Sequence, residues 1–305
     1  MPYIVNEDDF KSFETANSLI NNLKSETSIA FNLSKFSSPT QSSISLFLYT
    51  SCYLFLMCSN KIVLLNASDY FLQIMGRYQY FQKIFDIDMS TITIIKKEAT
   101  VTKPVSYLSH SYIFYASSIP EHSSLCMTIR SILNNMLMTT PKVSSQIFDV
   151  IKELLGNSLE HSVIDQTIDL STCGKYITLF NVYKSNKSVD QSLLDIQIID
   201  AGIGIRYNIE NTYGTLSSKD FIYISEAIKP GVTSRKSNEG GSGLSSTIDI
   251  FTNIPSDMKY LEIISGYGRY MYQYPNALKN SANLSDIIYK ISGTYINIRL
   301  VIQDK

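Results

Sequence analysis

The run LLDIQIIDAGIGI, Leu193 to Ile205, constrains the fold more than any other stretch of this chain. Its apolar, β-branched residues read as a buried strand that ends on Asp200. A carboxylate at the end of such a strand is unfavourable unless hydrogen bonds or a ligand compensate for its lost hydration. Gly202 and Gly204 follow at once and permit a tight turn with close approach of the backbone to a ligand. Taken alone, the Asp-x-Gly-x-Gly pattern also fits an ordinary strand-to-loop turn.

Two further segments carry polar groups in register. In IFDVIKELLGNSLEHS, Glu153, Asn157 and His161 recur every four residues, so a helix stacks them along one face. A solvent-facing stripe would look the same. In EGGSGLSSTIDIF, Gly240, Gly241 and Gly243 precede a helix, whose free N–H groups and positive dipole end suit phosphate.

Together and in this order, the three segments resemble the N box, G1 box and G2 box of the GHKL superfamily, whose fold is shared by gyrase, the heat-shock chaperone of that superfamily, histidine kinases and MutL. The resemblance covers about residues 120 to 305 and includes KPGVTSR, Lys229 to Arg235, and the final GTYINI strand. It implies a two-layer α/β sandwich of the Bergerat type that binds ATP and Mg2+. By the same resemblance, Asn157 matches the magnesium-binding asparagine, and Asp200 matches the carboxylate that accepts from the adenine amino group. Gly202 and Gly204 match the glycines beside adenine, and Gly241, Ser242, Gly243 and Leu244 match the loop and helix start that close over the phosphates. Thr294 matches the threonine that shares the adenine-binding water. An ATP lid is expected between Arg206 and Glu239, in a loop-rich stretch where Lys229, Arg235 and Lys236 are either phosphate ligands or solvated charges.

Glu153 bears on what such a domain would do. The resemblance makes it the catalytic base that activates water in hydrolysing members or a seryl hydroxyl in anti-sigma-factor serine kinases, whose ExxxNxxxH form ELLGNSLEH is similar to. An ATPase coupling nucleotide state to partner or dimer contacts, a protein serine/threonine kinase, and a non-hydrolysing nucleotide-gated module are the three readings. His161 is either catalytic or a packing and orienting residue. A sensor histidine kinase fits worse, because His122 in PEHSSL lacks the acidic and basic followers of a phosphoacceptor.

The fold class is α/β throughout, with an N-terminal domain over 1–117 and the nucleotide-binding domain over 118–305. In the first part, a helix is expected from Asp8 to about Lys24, strands at SIAFNLS and KIVLLN, and helices from Gln41 and through YFLQIMGRYQYFQKIF. This alternation resembles a STAS-like domain in pattern only. The Asp-Ser-Ser/Thr-Gly phosphoacceptor signature is missing, so Ser37, Ser38 and Thr40 are weak phosphosite candidates, and contacts with a protein partner or a second copy are the expected role. Thr91 to Ser117 reads as strand-rich. The apolar run from Ser43 to Cys58 is short for a membrane span and carries Ser, Thr and Cys, so a buried helix is expected. With 26 Lys plus Arg against 27 Asp plus Glu, no global positive field draws the chain to nucleic acid or anionic lipid. Its four cysteines lack zinc spacing and no secretory signal is evident, which fits a cytoplasmic protein.

Overall fold

The computed structural model describes residues 2–26, 28–36, 40–58, 61–75, 78–87, 107–137, 139–161, 174–185, 191–232, 243–275 and 282–303. The chain divides into two compact units, one of residues 1–106 with 110–113 and one of 107–109 with 114–305.

The first unit is α/β. Strands β1 (Tyr3–Asn6), β2 (Ala30–Lys35), β3 (Ile62–Leu65) and β5 (Phe85–Ile87) form a four-stranded sheet in that order, each pair parallel. Helices α1 (Phe13–Leu23), α2 (Gln41–Cys58) and α3 (Asp69–Met75), with the two-residue strand β4 (Tyr78–Gln79), make the connections that parallel pairing requires. The single helix expected over 8–24 is broken. A 3-10 turn spans Glu7–Phe10, and Ser12 restarts the chain as an N-cap whose hydroxyl accepts from Thr15 N–H at 3.2 Å. Strand β1 has no counterpart in the sequence reading, because four residues are too few for an alternating pattern to emerge. The core centres on Phe47 of α2, whose ring lies 5.2–6.0 Å from those of Phe10, Phe31, Phe36, Phe71 and Phe85. Residues around the whole circumference of α2 are buried, including Ile44, Leu48, Tyr49, Cys52, Leu54 and Leu56. Among the described residues no helix is long and apolar enough to cross a membrane.

The second unit is also α/β, with an antiparallel sheet. Strands β7 (Tyr176–Ser185), β8 (Gln191–Asp200), β10 (Asn283–Gln303) and β9 (Met258–Tyr274) pair in that order, and the residues of β6 (Tyr107–Ala116) divide between the two units. Helix α5 (Pro141–His161) packs on β7 and β8, between α4 (Ile119–Met136) and α8 (Gly243–Asn253). Its buried residues Ile147, Val150, Ile151, Leu154, Leu155 and Ser158 recur at helical spacing, which turns the opposite stripe outward. The expected strands over Thr91–Ser117 are seen as β6 at 107–116, and 91–106 lie outside the described residues.

The stretch expected to be loop-rich contains two helices, α6 (Gly204–Tyr213) and α7 (Asp220–Ala227). Ile209 of α6 and Tyr223 and Ile224 of α7 are buried and give these segments their anchors. Arg206 binds α6 to α7. It meets Glu210 at 3.1 Å and Asp220 at 2.9 Å, and its guanidinium lies 5.0 Å from the Tyr223 ring centre. Residues 233–239, the remainder of the expected lid, lie outside the described residues.

Candidate functional site

Strand β8 carries Asp200 at its end, between register partners Tyr176 on β7 and Thr294 on β10. Asp200 is 4% exposed. Its Oδ1 accepts from Gly202 N–H at 3.1 Å and from Thr294 N–H at 3.0 Å, and the hydroxyls of Ser158 and Thr294 also bond the carboxyl. Burial pushes its pKa up to about 7, against the opposing pull of those hydrogen bonds. No cation contributes. Asp200 is therefore a buried acid that a nearby proton donor can tip to the ionised form.

The turn after β8 is built by close contacts that exclude side chains. A Cβ on Gly204 would lie 2.8 Å from Ser265 Oγ, the atom that accepts from Ile205 N–H and donates to the Gly293 carbonyl at 3.0 Å. Gly293 is tighter. At φ +76°, its Cβ would fall 2.3 Å from the Asp200 carbonyl oxygen and 2.7 Å from both Asp200 Oδ1 and Gly202 N. Both neighbours are backbone or a pinned carboxylate, so only glycine fits here. Gly204 thus shapes the turn, Gly202 donates its N–H to Asp200 within it, and neither lines the adjacent cavity.

That cavity measures about 460 Å³, within the range of small-molecule sites. Asp149, Lys152, Glu153, Asn157 and His161 line it from α5, Asp200 from β8, Gly243, Leu244 and Ser246 from α8, and Thr294 from β10. The apolar part comes from Ile205 and Ile209 of α6, Ile263 of β9 and Ile296 of β10, with Ala227 at the end of α7 and Val232 beyond it. Six of the ten site residues read from sequence, Glu153, Asn157, Asp200, Gly243, Leu244 and Thr294, therefore share one concavity. Gly241 and Ser242 lie outside the described residues. Glu153 is exposed, whereas Asn157 and His161 are half-buried. Asn157 Oδ1 would stand 3.8 Å from a Cβ on Gly243, so the amide faces the start of α8 across a gap of van der Waals size.

Of the basic candidates, Lys229 pairs with Glu226 at 2.5 Å and does not line the cavity, while Arg235 and Lys236 lie outside the described residues. Lys152, absent from the sequence reading, does line it. His122 is engaged on both ring nitrogens, with Tyr176 Oη at 2.9 Å and Cys126 Sγ at 3.5 Å, and burial lowers its pKa. Ser158 and Ser265 were also missed. Both are small buried residues in apolar patterns, and neither spacing nor composition marks a hydroxyl whose role is to hold another side chain.

A divalent cation and a nucleotide both fit these residues. One amide oxygen on the cavity wall suits Mg2+, which keeps most of its ligands as phosphate oxygens and water. Among the described residues no cluster of three or more His, Cys, Asp and Glu side chains could hold a metal without such help. No protein-family model and no curated protein sequence matches the chain.

Proposed function

We propose that the second unit is a GHKL-type, Bergerat-fold domain that binds ATP with Mg2+ and hydrolyses it. One observation carries the reading: segments distant in sequence, each resembling a GHKL box, converge on a single cavity. The base end of that cavity supplies a buried carboxyl beside isoleucines, and the other end supplies the amide of Asn157 and the N-terminus of α8. Adenine packs among Ile205, Ile209, Ile263 and Ile296 and donates its amino hydrogen to Asp200. Asn157 would hold the magnesium ion, whose charge would offset that of the phosphates. Glu153 takes the proton of an attacking water, and its exposure at the cavity rim leaves room for that water.

The same exposure favours a second reading, a serine/threonine kinase of the anti-sigma-factor type, in which a seryl or threonyl hydroxyl from another surface reaches Glu153. The first unit, a parallel sheet with alternating helices, serves in either case as an interaction module of STAS-like kind that contacts a protein partner or a second copy. Incubation of the pure protein with γ-labelled Mg-ATP decides between the two. Free phosphate, lost in Glu153→Ala, is the expected product. Label on the protein or on an added partner, with negligible free phosphate, points to the kinase, and absence of nucleotide binding overturns both.

A further inference from the structure

The carboxyl of Asp200 has an asymmetry that bears on which base the cavity accepts. Two backbone amides, of Gly202 and Thr294, donate to Oδ1, and Asp200 lines the cavity. The other partners of the carboxyl are two hydroxyls, Ser158 and Thr294, and a hydroxyl rotor donates or accepts with equal ease. A backbone N–H could not make that change. The two hydroxyls can therefore follow a change in the protonation state of Asp200.

Resting on the ATP reading above, we infer that the Asp200, Ser158 and Thr294 cluster reads position 6 of a purine in two ways. As a carboxylate, it accepts from the 6-amino group of adenine. As a neutral acid, with its proton drawn from bulk solvent, it donates to the 6-oxo group of hypoxanthine or guanine. Base preference at this site thus changes with pH.

Burial without a cationic partner pushes the Asp200 carboxyl up to about 7, which places the change near neutrality. The surrounding charges do not pair with it. On α5, Asp149, Lys152, Glu153 and His161 line the cavity but contribute nothing resolved to the Asp200 titration. On β7, Tyr176 has its hydroxyl held by His122. Arg206 and Glu210 of α6 pair with each other, Glu262 of β9 pairs with Arg269, and Asp249 of α8 acts on Tyr270. Groups that do titrate near the phosphates act equally on two nucleotides that differ only in the base, so the ratio of their affinities isolates Asp200.

The test is calorimetric titration of the full-length protein with ADP and with IDP, in magnesium, from pH 6 to pH 8. The affinity ratio of ADP to IDP is expected to rise about tenfold per pH unit, because each extra unit changes the ionised-to-neutral ratio tenfold. In Ser158→Ala, the loss of a donor to the carboxylate moves the pH of equal affinity upward. In Asp200→Asn, the amide oxygen keeps the Gly202 and Thr294 bonds while its NH2 offers a fixed donor, so IDP is preferred and the ratio no longer depends on pH. Should the asparagine variant fail to fold by circular dichroism, the wild-type profile alone still decides. A pH-independent ratio in protein that binds ADP overturns this inference and leaves the ATP reading standing. Failure to bind either nucleotide at any pH overturns both.

Discussion

Replacing Gly293 by alanine tests whether the Asp200 turn is as tight as the geometry requires. Two terms add. A residue with a Cβ at φ +76° costs about 1–2 kcal/mol from the left-handed conformation alone. The new methyl would lie 2.3 Å from the Asp200 carbonyl oxygen and 2.7 Å from Gly202 N, neither of which is the yielding end of a flexible side chain. Forced displacement in a packed core costs about 1–3 kcal/mol more. The sum is about 2–5 kcal/mol, or roughly 4–20 °C in Tm for a unit of this size. Gly231→Ala is the matched control. Its φ is +80° but no atom lies within 4 Å of the new methyl, so only the first term applies, about 1–2 kcal/mol. Differential scanning calorimetry on both variants gives the stability difference, and titration with ADP reports the displaced carboxyl. Equal losses in the two variants, with ADP affinity intact in Gly293→Ala, would refute the tight-turn argument.

Four other outcomes follow from the same geometry. Glu153→Ala should retain nucleotide binding while phosphate release falls about 10²–10⁴-fold, as expected when a general base is removed; an unchanged rate in a phosphate-release assay rules Glu153 out as the base. Asn157→Ala should weaken ADP binding in magnesium much more than in EDTA, and calorimetry showing equal effects counts against the amide as the metal ligand. The raised pKa of Asp200 means that the folded state binds a proton more tightly than the unfolded one, so this group's stabilisation is complete below about pH 4 and is lost as pH rises through about 7; urea melts of the nucleotide-free protein should show that slope, reduced in Asp200→Asn. Phe47→Ala removes the ring about which five others pack and should destabilise the first unit by about 3–5 kcal/mol in a denaturant melt, leaving ADP affinity in the surviving folded fraction unchanged.

Much of the secondary structure was legible because it depends on local periodicity. The helix α5, the strand β8 and the apolar helix α2 all follow from patterns eight or more residues long. Short elements and helices with mixed faces were not legible in that way. Four residues of β1 carry too little pattern, and α6 and α7 hide among Gly, Ser and Lys until their few buried residues find the sheet. The break at Ser12 rests on one side-chain cap, which a periodicity argument passes over.

For the site, the sequence by itself determined the polar stripe of α5, the acid that closes β8 and the glycines that follow it, since each depends on spacing within one element. Tertiary structure alone decided that Glu153, Asn157, Asp200, Gly243 and Thr294 face one cavity, because that requires β10 to return 94 residues later beside β8 and pair Thr294 with Asp200. It likewise decided the state of the acid. The titration of Asp200 depends on depth of burial and on hydroxyls from α5 and β10, and a sequence holds neither until separate strands and helices are packed together.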